Sequence, residues 1–582
     1  MCGIAGIYKF NNELVSKEKL KKMTDSISHR GPDAEGQWVN EFQNVGLGHR
    51  RLAIIDLSPE GNQPMHYLER YSITFNGEIY NYIELKADLI KKGYSFSSES
   101  DTEVLVALYA VFGRNMLLKL DGMFSFVIWD EIEEKMFCAR DRFGEKPFFY
   151  YKDENHFIFG SEMKALWAYG IKKKLNQERL KEYVLKNNII ELENSNTTFY
   201  ENILQLDPSH YALVNKNRKI EISKYWSIDN IKINKEISFE DAQAKYYYLF
   251  KKSVERRLRS DVSVGSSLSG GIDSSSIVCL IDSIKGNNQV QKVFSARFNN
   301  FLKDEGIYIQ EVLKQCKNIE SFDTWPSELN IIDLMEKTTF YQEEPFGSSS
   351  ILAQWKVMEL AKENGVTVLL DGQGADEYLA GYLSEYKVYL YQLYLNNKKK
   401  YNFEYESYMS KFGNTLPIQD FKHIETLRMK LGRLKKNIFN QPFKNPSLKQ
   451  SLKFLINDSR LKELLRYSDR NSMAHSREVR LPFLSHELVE FVFSLPDDYI
   501  LRDGWTKFIH RKSLENNLPS KVCWRIDKVG YETPQQNWLN SDEVNVRVKS
   551  QKIKYEIEDS ILEDNTNYGS MKWRLFMSSF ID

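Results

Sequence analysis

Strands and helices alternate along the second half of the chain, and this order constrains the fold more than any other feature. From about residue 236 the predicted elements follow one another in this order: the helix SFEDAQAKYYYLFKKSVERRL, the strand VSVGSSL, the helix SGGIDSSSIVCLIDSI, then the strands KVFSARF, NIESFD and VTVLL with helices between them. Such alternation predicts a doubly wound α/β parallel sheet. Ligands of such sheets bind at the carboxyl ends of the strands.

The first half of the chain has a different pattern. Residues 1 to about 210 hold short β-rich runs bounded by Gly, Asn and Asp turns, with a few helices between them, among them CGIAGIY, YSITFNGEIYNY, MFSFVIWD and KMFCARDRF. This pattern predicts an α+β domain of layered sheets. Because 582 residues exceed one ordinary core, we expect two domains, at 1–215 and 236–582.

Residues from about 383 to 460 are rich in Lys, Asn and Tyr and are interpreted as a helical insertion into the second domain. A solvated helical face is the favoured interpretation of this insertion, and a surface for a partner protein is the alternative.

Charge and cysteine content exclude several classes of protein. Lys+Arg and Asp+Glu are each 80, so the chain has no overall basic field and is not expected to bind nucleic acid. The five cysteines are scattered and form no CxxC pair, which predicts neither a disulfide framework nor a zinc site. We find no basic-plus-apolar leader and no apolar run of about 18 residues. A reduced, cytoplasmic enzyme without a membrane partner is expected.

Cysteine is the second residue, and this position has two interpretations. Removal of Met1 would leave Cys2 with a free α-amine beside its thiol. With ordinary pKa values of about 7.7–8.0 and about 8.5, both groups are poised near neutrality. Cys2 could then be an N-terminal nucleophile whose own amine is the general base. In the alternative, Cys2 only begins an apolar edge strand, and this one residue does not decide between the two.

The run SLSGGIDSSS, residues 267–276, lies where a predicted strand meets a helix. Gly270 and Gly271 would let the backbone approach an anion, and hydroxyl donors would come from Ser269, Ser274 and Ser275. The helix N-terminus adds free N–H groups. A lone SGG is more often a turn, but the full pattern after a strand predicts a phosphate loop. It is not a Walker loop, because the chain contains no GxxxxGK[ST] motif.

A second acidic loop, DGQGADEYLAGY at 371–382, follows the strand VTVLL. If the two strand ends face each other, Asp273 and Asp376 could share one Mg²⁺ that neutralises phosphates. Alternatively, Asp376 and Glu377 favour the N-terminus of the next helix, and both interpretations can hold together.

These motifs carry a family resemblance that covers both halves of the chain. In the first half the matching motifs are MCGIAG, HRGPDAEG, HRRLAIID, FNGEIYNY, SDTE, DGMFSF and RDRFGEKPFFY; in the second they are SLSGGIDSS, DGQGADE, MAHSREVRLPFL, KFIHR and RIDKVGYETPQQNWL. The chain resembles the glutamine-hydrolysing asparagine synthetases of the bacterial B type. The resemblance implies a class II glutamine amidotransferase domain of the N-terminal nucleophile type, followed by an ATP-pyrophosphatase-type synthetase domain.

The resemblance implies a glutaminase site in the first domain. Cys2 would attack the side-chain amide of L-glutamine, while Asn76 and the N–H of Gly77 form the oxyanion hole. Glutamine binding is assigned to Arg51 for the carboxylate, to Glu78 and Asp101 for the α-amino group, and to the backbone of a strand formed by Leu52, Ala53, Ile54 and Ile55. The products would be glutamate and ammonia.

In the second domain the resemblance implies an adenylating site. The ATP-binding residues would be Leu268, Ser269, Gly270, Gly271, Asp273, Ser274, Ser275, Ala296, Asp371 and Gly372. A carboxylate would attack the α-phosphorus and release pyrophosphate, with Lys507 stabilising phosphoryl charge and Mg²⁺ on Asp273 and Asp376. Ammonia passing between the domains would then attack the acyl-adenylate, with water excluded. A homodimer is expected from the family.

The second loop departs from the family pattern. Asparagine synthetases near the type enzymes have SGEGSDE, whose first glutamate is implicated in forming β-aspartyl-AMP, whereas Gln373 stands there in this chain. Another group could substitute, and Asp371, Glu343 and Glu344 are the candidates. The expected acceptor is L-aspartate; the alternatives are a sugar acid or peptide carboxylate with the same chemistry, or a silent glutamine-binding protein. The segment RYSDRNS, 466–472, matches the family's acceptor-side arginine segment only loosely.

Overall fold

Two antiparallel sheets make up the first half of the chain. The computed structural model describes residues 2–11, 13–190, 196–285, 290–413, 447–526, 532–558 and 569–581. The strands are β1 (Gly3–Lys9), β2 (Ala34–Val39), β3 (Val45–Arg51), β4 (Met65–Tyr67), β5 (Tyr71–Ile79), β6 (Gly122–Asp130), β7 (Lys135–Arg140), β8 (Phe149–Lys152), β9 (His156–Gly160), β10 (Leu204–Gln205), β11 (His210–Asn215) and β12 (Ile220–Lys224). The helices are α1 (Lys17–Asp25), α2 (Tyr82–Ile90), α3 (Asp101–Phe112), α4 (Met163–Tyr169) and α5 (Gln177–Lys186).

The two sheets pack face to face, with helices on both outer faces. Their strand orders are β10-β8-β9-β1-β3-β2 and β12-β11-β7-β6-β5-β4. Strand β1 has no charged residue before Lys9, and its packing explains why. Ile4 and Tyr8 belong to the core between the sheets, whereas Ala5 and Ile7 belong to the core under the helices. Successive residues of a strand point to opposite faces, so a strand covered on both sides needs apolar residues at every position. The result is a helix–sheet–sheet–helix layering.

The second half contains one parallel sheet. Its strands are β13 (Val264–Ser267), β14 (Gln291–Ala296), β15 (Ile319–Thr324), β16 (Val368–Leu370) and β17 (Glu478–Arg480). The described helices before residue 414 are α6 (Phe239–Arg257), α7 (Ile272–Lys285), α8 (Gly306–Gln315), α9 (Ile331–Gln342), α10 (Ser350–Glu363), α11 (Ala375–Tyr378), α12 (Leu383–Asn396) and α13 (Lys398–Phe412). The later helices are α14 (Leu448–Asn457), α15 (Arg460–Ala474), α16 (His486–Ser494), α17 (Asp497–Ile500), α18 (Phe508–Leu514), α19 (Ser520–Cys523), α20 (Gln535–Trp538), α21 (Asp542–Lys554) and α22 (Met571–Ser578).

The order of this sheet is β15-β14-β13-β16-β17, and every pairing is parallel. The chain starts in the middle at β13, builds outward to β15, and then returns to place β16 on the other side of β13. A crevice therefore opens between the loops that follow β13 and β16, where the direction of winding changes. These observations confirm the expected fold class, an α+β domain of layered antiparallel sheets followed by a doubly wound α/β domain.

The helices between residues 383 and 412 are more buried than a solvated insertion would be. Tyr386, Leu390 and Tyr408 are fully buried and belong to the main core of the second domain. In α12 the residues Tyr386, Tyr389 and Leu390 recur at helical spacing, so one face packs inward while Lys and Asn occupy the other. The part of the expected insertion at 414–446 lies outside the described residues.

The two halves share a boundary on which the chain's last helix lies. Helix α22 packs against α5 of the first domain, and Arg574 donates from Nη1 to the carbonyl of Val184 at 2.5 Å. Among the described helices, none combines the length and apolar character needed to cross a membrane.

Candidate active sites

Cys2 lies at the start of β1, buried inside the first domain. Its backbone nitrogen donates to Oδ1 of Asn76 at 3.1 Å, and its thiol lies 3.9 Å from the carbonyl oxygen of Leu52. Burial raises the pKa of the Cys2 thiol, so the thiol needs a nearby base to become a nucleophile. Met1, whose removal would free the α-amine, lies outside the described residues.

Asn76 offers a hydrogen-bond donor beside the thiol. The residue is fully buried on β5, and its Nδ2 has no hydrogen-bond partner among the described residues. A buried donor without a partner is costly unless a ligand completes it. Gly77 follows on the same strand, where a Cβ would lie 2.1 Å from the carbonyl oxygen of Met123, so only glycine fits.

The strand expected over Leu52–Ile55 is absent, because β3 ends at Arg51. Beyond that point the backbone leaves the ladder and bonds elsewhere: Ala53 N donates to Oδ2 of Asp33 at 2.8 Å, and the Ile54 carbonyl accepts from Asp261 N at 2.9 Å. Those expected backbone contacts therefore belong to a loop.

The cavity beside Cys2 brings together most of the residues expected for glutamine. It is lined by Cys2, Arg51, Leu52, Ile54, Ile55, Gly61, Gln63, Phe75, Gly77, Glu78, Ser100, Asp101 and Thr102. Ala53 and Asn76 are not among the lining residues. Two hydrogen bonds fix the guanidinium of Arg51, because its Nη1 donates to the Ser58 carbonyl at 2.7 Å and to Asn62 Oδ1 at 2.9 Å.

Two buried carboxyl groups of this cavity have raised pKa values. Burial, with Glu478 and Asp101 nearby, raises the pKa of Glu78 well above its usual range. Burial also raises the pKa of Asp101 to about 7, although its Oδ2 accepts from Ile79 N at 2.9 Å. Arg480 of the second domain lies 3.5 Å from Glu78 Oε1, while Glu78 Oε2 has no hydrogen-bond partner among the described residues. A bound ammonium group would favour the charged form of both carboxyls.

The predicted phosphate loop joins β13 to α7. Its Ser269 and Ser274 hydroxyl oxygens lie 3.1 Å apart, and Gly270 has φ +78°, which favours glycine. The loop after β16 lies directly against it, since a Cβ on Gly372 would be 2.9 Å from Ser274 N. The two loops therefore meet at the crevice predicted by the strand order.

A cavity of about 270 Å³ opens at this crevice. Of the residues predicted to bind ATP, it is lined by Leu268, Ser269, Gly271, Asp273, Ser274, Ala296, Asp371 and Gly372, with Gln373, Asp376 and Lys507 beside them. Gly270 and Ser275 are not lining residues. Polar lining residues outside the quoted sequence motifs are Glu305, Ser350, Gln354 and Arg460, whereas Tyr382, Arg511 and Arg525 lie within those motifs but were assigned no role.

Lys507 joins the two aspartates predicted to hold Mg²⁺. Its Nζ lies 2.5 Å from Asp273 Oδ2 and 2.6 Å from Asp376 Oδ1. Burial alone would lower the pKa of Lys507, but Asp273 and Asp376 outweigh it and raise this pKa. Because both carboxylates reach one cationic atom, one divalent cation can also reach both, and carboxylate and phosphate oxygens are the ligands that Mg²⁺ prefers. The donor set therefore fits Mg²⁺ bound together with a nucleotide.

Charged residues at the boundary between the domains were not predicted. Arg30 contacts Cys2 and also forms a bidentate pair with Asp469, which lies 439 residues after Arg30 in the sequence. The motifs HRGPDAEG and RYSDRNS contain these two residues, but no local pattern indicates that they meet.

Comparisons with known proteins match both halves. Residues 1–226 match the glutamine amidotransferase domain family, and residues 245–561 match the asparagine synthase family. Asparagine synthetase [glutamine-hydrolyzing] 3 of Bacillus subtilis is 32% identical, covering 90% of this chain and 86% of that protein. Asparagine synthetase [glutamine-hydrolyzing] 1 of the same organism is 30% identical, covering 93% and 88%. Amidase chry2 of Gibberella zeae is 27% identical, covering 90% and 86%.

Proposed function

The chain belongs to the asparagine synthetase family and is an ATP-dependent, glutamine-hydrolysing carbon–nitrogen ligase, and from this premise we propose that its acceptor is L-aspartate. The proposed reaction converts ATP, L-aspartate, L-glutamine and water into L-asparagine, AMP, diphosphate and L-glutamate. Two cavities divide the work: the one beside Cys2 releases ammonia, and the one beside Lys507 activates the acceptor.

In the first cavity the Cys2 thiol is the nucleophile and its freed α-amine is the base. The amine takes the thiol proton as sulfur attacks the amide carbon of glutamine. Asn76 Nδ2, which has no other partner among the described residues, and the N–H of Gly77 donate to the developing oxyanion. The amine then gives the proton to the leaving nitrogen, so ammonia departs and a glutamyl thioester remains. Water hydrolyses the thioester to glutamate and restores Cys2.

In the second cavity the acceptor carboxylate attacks the α-phosphorus of ATP, forming an acyl-adenylate and releasing diphosphate. The loop from Ser269 to Ser274 supports the phosphates, and Lys507 offers its ammonium group to them. Asp273 and Asp376 would hold Mg²⁺, which supplies charge neutralisation for the phosphates when bound. Ammonia attacks the acyl carbon and AMP leaves.

Unsatisfied acceptor atoms in the second cavity support aspartate above all. Gln373 Oε1 and Glu377 Oε2 are buried and have no hydrogen-bond partner among the described residues, and both residues line the cavity. An ammonium group carries three donors and a positive charge, which is the chemistry that suits such acceptor oxygens. The guanidinium of Arg460, which also lines the cavity, suits a second carboxylate. An amino group together with two carboxylates describes aspartate better than a sugar acid.

Two carboxylates considered as substitutes for the missing glutamate are engaged elsewhere. Glu343 accepts from the backbone nitrogens of Met163 and Lys164 at 3.0 and 2.8 Å. Glu344 is paired with Arg466 at 2.7 Å. Neither lines the cavity of the second domain. The third, Asp371, does line this cavity, and its Oδ1 accepts from Gln373 N at 3.1 Å. We propose Glu377 as the carboxylate that binds the acceptor's amino group, because its Oε2 has no hydrogen-bond partner among the described residues.

The test measures diphosphate and amino acids from ATP, Mg²⁺ and glutamine, with aspartate or with succinate, which lacks the amino group. We expect aspartate-dependent diphosphate and asparagine, and neither product with succinate. Glu377→Gln should raise the KM for aspartate about tenfold or more, the scale of a lost buried charged contact, while the KM for ATP is unchanged. Glutamine hydrolysis without aspartate-dependent diphosphate would assign a different carboxylate as the acceptor.

A further inference from the structure

Arg30 links the nucleophile of the first domain to a carboxylate of the second. The residue is fully buried, and its Nε donates to the carbonyl oxygen of Cys2 at 3.1 Å. Its terminal nitrogens both face Asp469, with Nη1 to Oδ2 at 2.9 Å and Nη2 to Oδ1 at 3.0 Å. A bidentate pair fixes the plane of the guanidinium as well as its position. Two consecutive contacts thus connect Asp469 to the backbone of Cys2.

Neighbouring charges hold this connection in place. Nη1 of Arg30 also donates to Glu162 Oε1 at 2.8 Å, and Lys146 Nζ lies 3.5 Å from Asp469 Oδ1. Burial would raise the pKa of Asp469, but Arg30 and Lys146 outweigh it and hold this pKa below its usual range. Asp469 is therefore a carboxylate near neutral pH, and its bidentate pair with Arg30 joins two charged groups.

Asp469 belongs to a helix that also reaches the second cavity. Helix α15 begins at Arg460, and its Arg460, Leu464 and Tyr467 line the cavity that holds Lys507. Asp469 lies on the same helix, less than one turn beyond Tyr467. A helix moves as a unit, so a displacement of its cavity-lining residues also displaces Asp469.

We propose that Asp469 is a positioning residue for the Cys2 nucleophile. Helix α15 then transmits the binding of substrates in the cavity beside Lys507 to the cavity beside Cys2. The proposal rests on the glutaminase half of the proposed function. When substrates contact Arg460, Leu464 or Tyr467, the helix determines the position of Asp469. Asp469 then positions the guanidinium of Arg30, and that guanidinium positions the carbonyl oxygen of Cys2. A displacement of about 1 Å at a reacting group can change a rate by about 10²-fold, so small movements of the helix suffice.

Asp469→Asn keeps the shape of the side chain and removes its charge. We expect kcat for glutamate release from glutamine to fall about tenfold or more, while the KM for glutamine and ammonia-dependent diphosphate release stay within twofold, about the spread expected for an uninvolved residue. ATP and aspartate together should stimulate glutamate release and speed alkylation of Cys2 by iodoacetamide in the native chain, and should do neither in the variant.

The matched control is Asp121→Asn. Like Asp469, Asp121 is a buried carboxylate paired across the boundary, but it belongs to the first domain and pairs with Arg256 Nη1 at 2.8 Å. It does not touch Arg30 or Cys2. This control should keep its glutaminase rate and its stimulation by ATP and aspartate. If both variants lose glutaminase and ammonia-dependent activity in parallel with their thermal stability, the Asp469 contact is structural only and the proposal is overturned.

Two further outcomes separate the proposals. A native chain that releases no glutamate from glutamine would overturn the proposed function itself. A native chain that does so, with an equally active and equally stimulated Asp469→Asn variant, overturns only the positioning role. Should that variant fail to fold, Asp469→Glu replaces it: the charge returns with one extra methylene, so a lowered kcat at unchanged KM supports positioning, and an unchanged kcat and stimulation oppose it.

Discussion

The donor at Asn76 gives the sharpest prediction. Asn76→Ala removes two functions that the structure separates: Nδ2, which has no partner among the described residues, and Oδ1, which accepts from Cys2 N at 3.1 Å. Loss of one preorganised oxyanion donor costs about 2.7–4 kcal/mol, or about 10²–10³-fold in kcat. Loss of the Oδ1 bond costs about 1 kcal/mol of folding free energy. The first effect is therefore the larger and appears in glutamate release from glutamine.

Asn76→Asp separates the two functions experimentally. The carboxylate keeps an acceptor for Cys2 N and nearly the same shape, but it places negative charge where the oxyanion develops. Rates of glutamate release should therefore fall at least as far in Asn76→Asp as in Asn76→Ala, while both variants keep ammonia-dependent diphosphate release. If the kcat of Asn76→Ala stays within threefold of the native value, the activation free energy has changed by under about 0.7 kcal/mol. That result would refute the oxyanion role. So would an Asn76→Asp variant far more active than Asn76→Ala.

Two further predictions concern the same domain. Cys2→Ala should lose glutamine use yet keep ammonia-dependent synthesis, because the second cavity has its own residues. Loss of both activities in a variant that circular dichroism shows to be folded would contradict the two-site scheme. Burial raises the pKa of Asp101 to about 7, so Asp101 is neutral below that pH and cannot pair with the ammonium of glutamine; kcat/KM for glutamine should therefore rise with pH through about 7. Asp101→Asn should remove only the part of the rise near pH 7 and keep the part that follows the Cys2 amine, whose ordinary pKa is about 7.7–8.0. A variant profile that coincides with the native profile around pH 7 would exclude Asp101 as the source.

Sequence patterns are sufficient where the signal is local. The strands KVFSARF, NIESFD and VTVLL carry enough apolar residues to be recognised, and they form β14, β15 and β16. The loop SLSGGIDSSS lies between a strand and a helix, as its sequence predicts, for the same reason. Connection rules in parallel sheets narrow the possible strand orders without fixing one. The sequence therefore predicts that the two loops meet only if β13 and β16 are neighbours, and the structure shows that they are.

Short or charged elements escape prediction because their partners are distant. Strand β17, Glu478–Arg480, has three residues and two charges, so it shows no strand periodicity. Its charges are buried because Arg480 pairs with Glu478 at 2.5 Å and lies 3.5 Å from Glu78 of the first domain. The strand expected at Leu52–Ile55 fails for a related reason: its backbone bonds to Asp33 and Asp261, which local patterns do not reveal.

The boundary between the domains shows why such charges are informative. An apolar alternative exists beside them, because one continuous core contains Ile7 and Leu180 of the first domain together with Met335 and Trp573 of the second. Buried ion pairs often contribute no more stability than apolar residues of similar size, and they are costly when one partner is lost. They differ from apolar contacts in being directional, since a guanidinium fork accepts a carboxylate in one plane only. We infer that the pair of Arg30 and Asp469 contributes to the register in which the two domains meet, since its bidentate geometry is directional. The proposed transfer of ammonia from one cavity to the other, away from water, requires that register to be fixed.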